Sequence, residues 1–148
     1  MNIVMQMNIG RNIHRTLTFI PRAWHRRGFG VQSPSDYELV RDVLCESLAY
    51  YAYEEQNLKT KTERLLYRLK LHYGDALVHE YDDANAIYDS LAGAEDDKRV
   101  LWIANISTHN YSLWKRILKD PRARVTYDMG RTGLVSFDRK RIKQNYLL

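Results

Sequence analysis

Apolar residues recur at intervals of three and four along the first half of the chain, and the spacing predicts helices. Ser33-Pro34-Ser35-Asp36 reads as a helix start, with Ser33 as cap, Pro34 in the first turn and Asp36 completing a capping-box pattern. Tyr37, Val40, Leu44 and Leu48 then share one face, and Cys45 lies within the same helix. Tyr50, Tyr51 and Tyr53 follow as the aromatic edge of the core at a helix end; stacking on a ligand is the alternative. Thr60-Lys61-Thr62-Glu63 is a second capping box, Leu65, Leu66, Leu69 and Tyr73 form its apolar face, and Gly74 suits the C-terminal cap. Upstream, Ile13, Leu17, Ile20 and Trp24 interleave with Arg11, Arg15, Arg22 and Arg26. This basic amphipathic stretch is expected to pack its apolar side on the domain, a membrane surface being the alternative. Gly28-Phe29-Gly30 breaks the chain after it.

Beyond Gly74 the pattern shortens. Ala76-Leu77-Val78 is a strand candidate, and Asp82 can cap a helix bearing Ile87, Tyr88 and Leu91 that stops near Gly93. The continuous apolar run Val100-Leu101-Trp102-Ile103-Ala104 predicts a strand buried on both faces, hence parallel, with helices on either side. Residues 111–119 form a helix through Leu113, Trp114, Ile117 and Leu118, stopped before Pro121. Residues 124–128 and 134–137 are strands joined by a hairpin-like connection, 139–143 is a basic turn, and 145–148 is a last extended piece. The expectation is a single α/β domain, helical over 1–73 and a partial Rossmann-like unit over 74–148.

The length of 148 residues suits one domain, and 45% hydrophobic with 28% charged residues argues against disorder. No apolar run approaches the ~20 residues of a membrane span. The first residues do not resemble a secretory signal, because Gln6, Asn8 and Gly10 interrupt the apolar stretch and the charges follow it. A single cysteine, Cys45, excludes an intramolecular disulfide and a multi-cysteine zinc site, and points to the cytoplasm. Net charge is uneven: residues 1–35 carry five arginines and no acid, residues 36–97 carry 6 lysines and arginines against 15 acids, and residues 98–148 carry 12 against 3. Blocks that fold beside one another and neutralise explain this, with attraction to phosphates as the alternative.

Chemistry-bearing motifs are sparse. There is no P-loop, and no GxGxxG follows a strand. Histidines 14, 25, 72, 79 and 109 have no metal-ligand spacing. Cys45 reads as a packed thiol, Ser107-Thr108-His109 as a loop, and the pairs Asp82-Asp83 and Asp96-Asp97 as a cap and a solvated connector.

Two stretches carry a family resemblance. The first is Arg27-Gly28-Phe29-Gly30-Val31-Gln32-Ser33-Pro34, with Tyr37, Val40 and Val43-Leu44 behind it. The second is the C-terminal series of Asn105-Ile106-Ser107, Trp114, Pro121, Val125-Thr126-Tyr127-Asp128-Met129, Gly133-Leu134-Val135-Ser136-Phe137 and Lys143-Gln144-Asn145-Tyr146. Together they resemble a bacterial group of class I S-adenosylmethionine (SAM)-dependent methyltransferases that enter an N-terminal helix through "HGFGVHSPF" and end in "VTVDLFRLGLVFF…KQHY". The resemblance covers roughly half the chain; Gln32 stands at the His position and Ser35 at the Phe position. It implies a Rossmann-like sheet with a helical N-terminal cap and a C-terminal antiparallel hairpin.

The middle departs from that pattern. The family has a DxGxGxG-type loop against the methionine part of the cofactor and an acid on the ribose, whereas Gly74-Asp75-Ala76 here has no further glycine nearby. Only 25 residues separate Gly74 from Val100, too few for the missing strands with their crossovers. The family's acidic loop after the buried strand is replaced by the neutral Ala104-Asn105-Ile106-Ser107-Thr108-His109. The expected protein is therefore a reduced relative without catalytic residues, metal or cofactor, acting through binding. Asn105, Ser107, His109 and Tyr111 would line a remaining crevice at the end of the buried strand. Its partner would be another protein or a second copy, and residues 13–24 or that second copy would cover the open sheet edge. Two alternatives stand beside it: an active methyltransferase holding SAM in an atypical pocket, or a nucleic-acid binder using Arg22, Arg26, Arg27, Arg139, Lys140, Arg141 and Lys143.

Overall fold

The computed structural model describes Val31 and residues 33–48, 50–95 and 98–148. The stretch 11–26, Gly28-Phe29-Gly30, Arg22, Arg26, Arg27 and the pair Asp96-Asp97 lie outside the described residues. The chain opens with α1 (Pro34–Glu38), which continues into a π-helical segment, Leu39–Leu44. There follow α2 (Tyr51–Glu55), α3 (Lys61–Tyr73), a 3₁₀ turn at Gly74–Ala76, β1 (Leu77–Glu80) and α4 (Asn85–Gly93). The remainder is β2 (Val100–Ile103), α5 (Tyr111–Lys119), β3 (Val125–Asp128), β4 (Gly133–Ser136) and β5 (Gln144–Leu147).

The five strands form one sheet in the order β1-β2-β4-β3-β5. β1 is parallel to β2 and β3 is parallel to β5, while β4 runs antiparallel to both of its neighbours. Four strands thus point one way with β4 reversed among them. The β3–β4 hairpin is as expected, but β2 is not parallel on both sides: Leu101 pairs with Val78 in parallel and with Val135 in antiparallel register. β2 is buried along its whole length, as the apolar run predicts. Continuous hydrophobicity reports two covered faces, and those arise equally well in a mixed sheet.

The strand repeat of two divides the core. On one face Val100, Trp102, Val125, Tyr127, Leu134 and Tyr146 pack under Leu39, Val40, Val43, Leu44, Leu65 and Leu69 of the N-terminal helices. On the other, Leu101, Ile103 and Val135 pack under Tyr88 of α4 and Leu113, Trp114 and Ile117 of α5. Thr60 and Glu63 form the capping box at the start of α3, both reciprocal bonds being present.

The first helix departs from its expected form. The π segment, with Cys45 N–H donating to Val40 O at 2.9 Å, widens the turn so that residues 39, 40, 43 and 44 all face the core. The helix ends there. Cys45 is its cap, half-buried beside the core, and Leu48 is 66% exposed instead of continuing the apolar face. Ser33 is the N-cap residue but makes no capping side-chain bond. The α4 helix starts at Asn85, where Asp83, not Asp82, accepts the Asn85 N–H at 3.0 Å. The first strand begins one residue later than expected, after the 3₁₀ turn.

Candidate functional site

The sheet has two ends of different character. The upper end, where β1, β2, β3 and β5 finish, carries the residues singled out in the sequence. Asn105 is exposed, with φ of 55°, a left-handed conformation that asparagine tolerates better than most residues. Its amide donates to Tyr81 O at 3.2 Å, tying the loop after β2 to the loop after β1. Its carbonyl accepts the N–H groups of Thr108 and Asn110, each at 3.0 Å, and the buried Asn110 amide donates to Ala104 O at 2.9 Å. His109 is exposed, while Ser107 and Tyr111 are half-buried. None of the four lines the cavities described next.

Carboxylates at this end shape loops. Glu80 accepts the N–H groups of Tyr81 and Asp82, and Asp128 accepts the Gly130 N–H at 2.8 Å and the Trp114 indole N–H at 3.1 Å. The Asp83 carboxyl is held below its usual range, first by the Asn85 N–H, then by the Asn85 side chain, with the charge of His109 a smaller cause. The loop after β1 contains no glycine. Residues 74–99 supply one strand and one helix among the described residues. The loop after β1 thus carries none of the glycines that the resemblance places against the cofactor.

The lower end holds the dominant polar cluster. Asp36 is 1% exposed. Tyr127 Oη donates to its Oδ1 at 2.5 Å, Arg141 pairs with its Oδ2, and the Tyr146 hydroxyl lies 3.2 Å from that same oxygen and 2.6 Å from Gln144 Oε1. The rings of Tyr127 and Tyr146 stack at 5.3 Å, as their parallel register allows. A carboxylate removed from water needs this number of donors. The α1 helix, two strands and the turn before β5 are thereby joined through one side chain. Asp36 is therefore not the capping-box acid that the local pattern suggested.

The cluster forms a wall of a cavity of about 380 Å³ whose rim includes His72, Tyr73, Lys98, Asp138 and Lys140. Burial, then the charge of Asp36, pushes the Tyr73 and Tyr146 phenols up to about 12. Burial and the bond to Asp36 push Tyr127 higher still. A second cavity, of about 290 Å³, lies on the opposite face at the same end, and includes Arg122, Arg124 and Arg139 in its lining. A third, of about 420 Å³, lies among Tyr50, Tyr53, Tyr67, Arg68 and Leu71. Contrary to the helix-end reading, Tyr51 and Tyr53 belong to a helix of their own. Tyr53 is buried and accepts from Arg68 at 2.8 Å, whereas Tyr51 is 75% exposed.

The basic turn divides. Lys140 and Arg139 are exposed, Arg139 donating to Ala94 O at 2.8 Å. Arg141 turns inward to Asp36. Lys143 donates to the carbonyls of Ile117, Asp120 and Ala123, at 3.1, 2.9 and 2.6 Å, and so caps the C-terminal end of α5. Among the described residues no group of three or more His, Cys, Asp or Glu side chains could hold a metal ion, and no helix is long and apolar enough to cross a membrane.

Sequence reasoning missed Asp36, Tyr127, Tyr146 and Arg124. The first was masked by an adequate local role. Tyr127 and Tyr146 sit in the C-terminal motif series, but nothing local pairs them with a residue about a hundred positions earlier. Comparison with family models, curated proteins and solved structures finds no match to this chain.

Proposed function

We propose that this chain is a reduced, non-catalytic relative of the class I methyltransferases that acts by binding. The observation that carries the reading is the short path from α3 to β2. It spans one strand and one helix, while the C-terminal antiparallel hairpin implied by the resemblance is present beside a helical N-terminal part. The neutral loop at Asn105 supports it as well, since its side chain is used to hold a backbone turn.

Calorimetric titration with SAM and with its demethylated product tests this. No saturable heat is the expected result. Micromolar affinity for either would overturn the reading in favour of an active methyltransferase with an atypical pocket, which methyl transfer from labelled SAM would then establish.

A further inference from the structure

We propose that the smaller lower-end cavity is a binding site for an oxyanion carried on an apolar body, the anion being a phosphate ester or a carboxylate. Its described lining divides cleanly. Leu91 and Ala92 at the end of α4, Pro121, and the buried Phe137 supply apolar surface. Arg122, Arg124 and Arg139 supply the polar groups, and no carboxylate is among the described lining residues. A volume of about 290 Å³ matches the lower end of ligand pockets.

The three arginines are not equivalent. Arg122 is matched by Asp120, which it grips through Nε and Nη2 at 3.1 and 2.7 Å. Arg139 has one nitrogen on Ala94 O. Arg124 is half-buried between β4 and β5, where its backbone N–H donates to Ser136 O and its carbonyl accepts the Gln144 N–H, yet its guanidinium has no hydrogen bond or ion pair among the described residues. A half-buried guanidinium with no acceptor is costly. It is also a planar fork of donors shaped for a carboxylate or phosphate. Its charge is thus matched by nothing described in the fold, beside an apolar floor that suits a ring or short chain. A metal is a poor occupant of a cavity lined by cations, and a purely apolar one leaves Arg124 unsatisfied.

The test is calorimetry on the full chain at low salt, with phenyl phosphate, benzoate, inorganic phosphate and neutral benzyl alcohol as probes. Saturable binding of phenyl phosphate or benzoate is expected, at least tenfold tighter than inorganic phosphate or benzyl alcohol; whichever binds better identifies the anion. Arg124→Leu should weaken it at least tenfold while leaving the melting temperature unchanged or raised, and Arg124→Lys should lose less. Arg116→Ala, which removes an arginine paired with Asp89 on the outer face of α5, should leave binding intact. The proposal is overturned by absence of saturable binding, by benzyl alcohol binding as well as the anions, or by an Arg124→Leu protein that binds normally. Because SAM is not a probe in this series, its outcome is independent of the methyltransferase reading.

Discussion

The upper and lower ends of the sheet are built by different means. At the upper end, loops are held by their own backbone and by short side-chain bonds, such as Asn105 to Tyr81 and Asp128 to Gly130. At the lower end, polar side chains from distant segments meet. Asp36 reaches Tyr127, Arg141 and Tyr146, which lie 91, 105 and 110 positions away. Open α/β sheets bind ligands at the ends where parallel strands finish. In this chain that end is occupied with holding its own turns, and two of the cavities lie at the opposite end. Topology alone therefore does not say at which end of this sheet its cavities lie.

The sharpest way to test that contrast is to remove the lower hub. Asp36→Ala strips the acceptor from Arg141 and the buried Tyr127 and leaves a half-buried cation behind. The expected loss is about 3–5 kcal/mol, a large share of the stability of a domain this size. Asp36→Asn, which keeps an oxygen in place, should lose less. Urea denaturation of the two variants measures both, and an Asp36→Ala protein as stable as the parent would show the network to be incidental.

Alkali tests the same cluster without a large change of shape. The phenols of Tyr73 and Tyr146 are raised to about 12 and that of Tyr127 further. The folded chain therefore keeps protons that the unfolded chain releases near pH 10. Their contribution is fully present below about pH 10 and is lost as the pH climbs through 10 to 12. Ellipticity should be lost in that window. In Tyr127→Phe the slope of stability against pH should fall by up to about 1.4 kcal/mol per pH unit, one proton's worth. A slope equal to the parent's would contradict this.

What the sequence disclosed tracks how local each determinant is. The Thr60–Glu63 capping box, α5 with its stop before Pro121, the buried run from Val100 and the β3–β4 hairpin depend on neighbours in the chain, and all formed as expected. Asp36 has a local role and a distant one, and the distant one prevails because three donors outweigh a cap. The π segment closes the helix at Leu44, so Leu48 lies beyond it and is exposed to solvent. No periodicity argument contains that step. The candidate site was the least legible part, since a guanidinium without a partner, such as that of Arg124, is visible only once the surrounding elements are placed.

The upper end should instead respond to steric changes. A Cβ on Gly133 would stand 2.4–3.0 Å from three ring atoms of Trp114, and Trp114 cannot easily withdraw because its indole N–H is bound to Asp128. Gly133→Ala should cost about 1–3 kcal/mol through overpacking. In a Trp114→Leu background the same substitution should cost much less, a coupling that a double-mutant cycle measures. Equal penalties in the two backgrounds would mean that the close approach is not the cause.

The smallest effect expected is at Asn105, and it decides whether that residue is there for backbone geometry or for chemistry. With φ of 55°, a side chain lacking the adaptability of asparagine is disfavoured by roughly 1–2 kcal/mol. Asn105→Ala and Asn105→Gly both lose the bond to Tyr81 O, so their difference isolates the backbone term. Glycine regains the left-handed conformation but gives back part of that gain in unfolded-state entropy. The glycine variant should therefore be the more stable of the two by about 1 kcal/mol, with the parent above both. Asn105→Asp should keep the turn, since aspartate shares the tolerance for positive φ. Thermal melts rank the variants, and alanine matching glycine would show that the turn does not constrain this position.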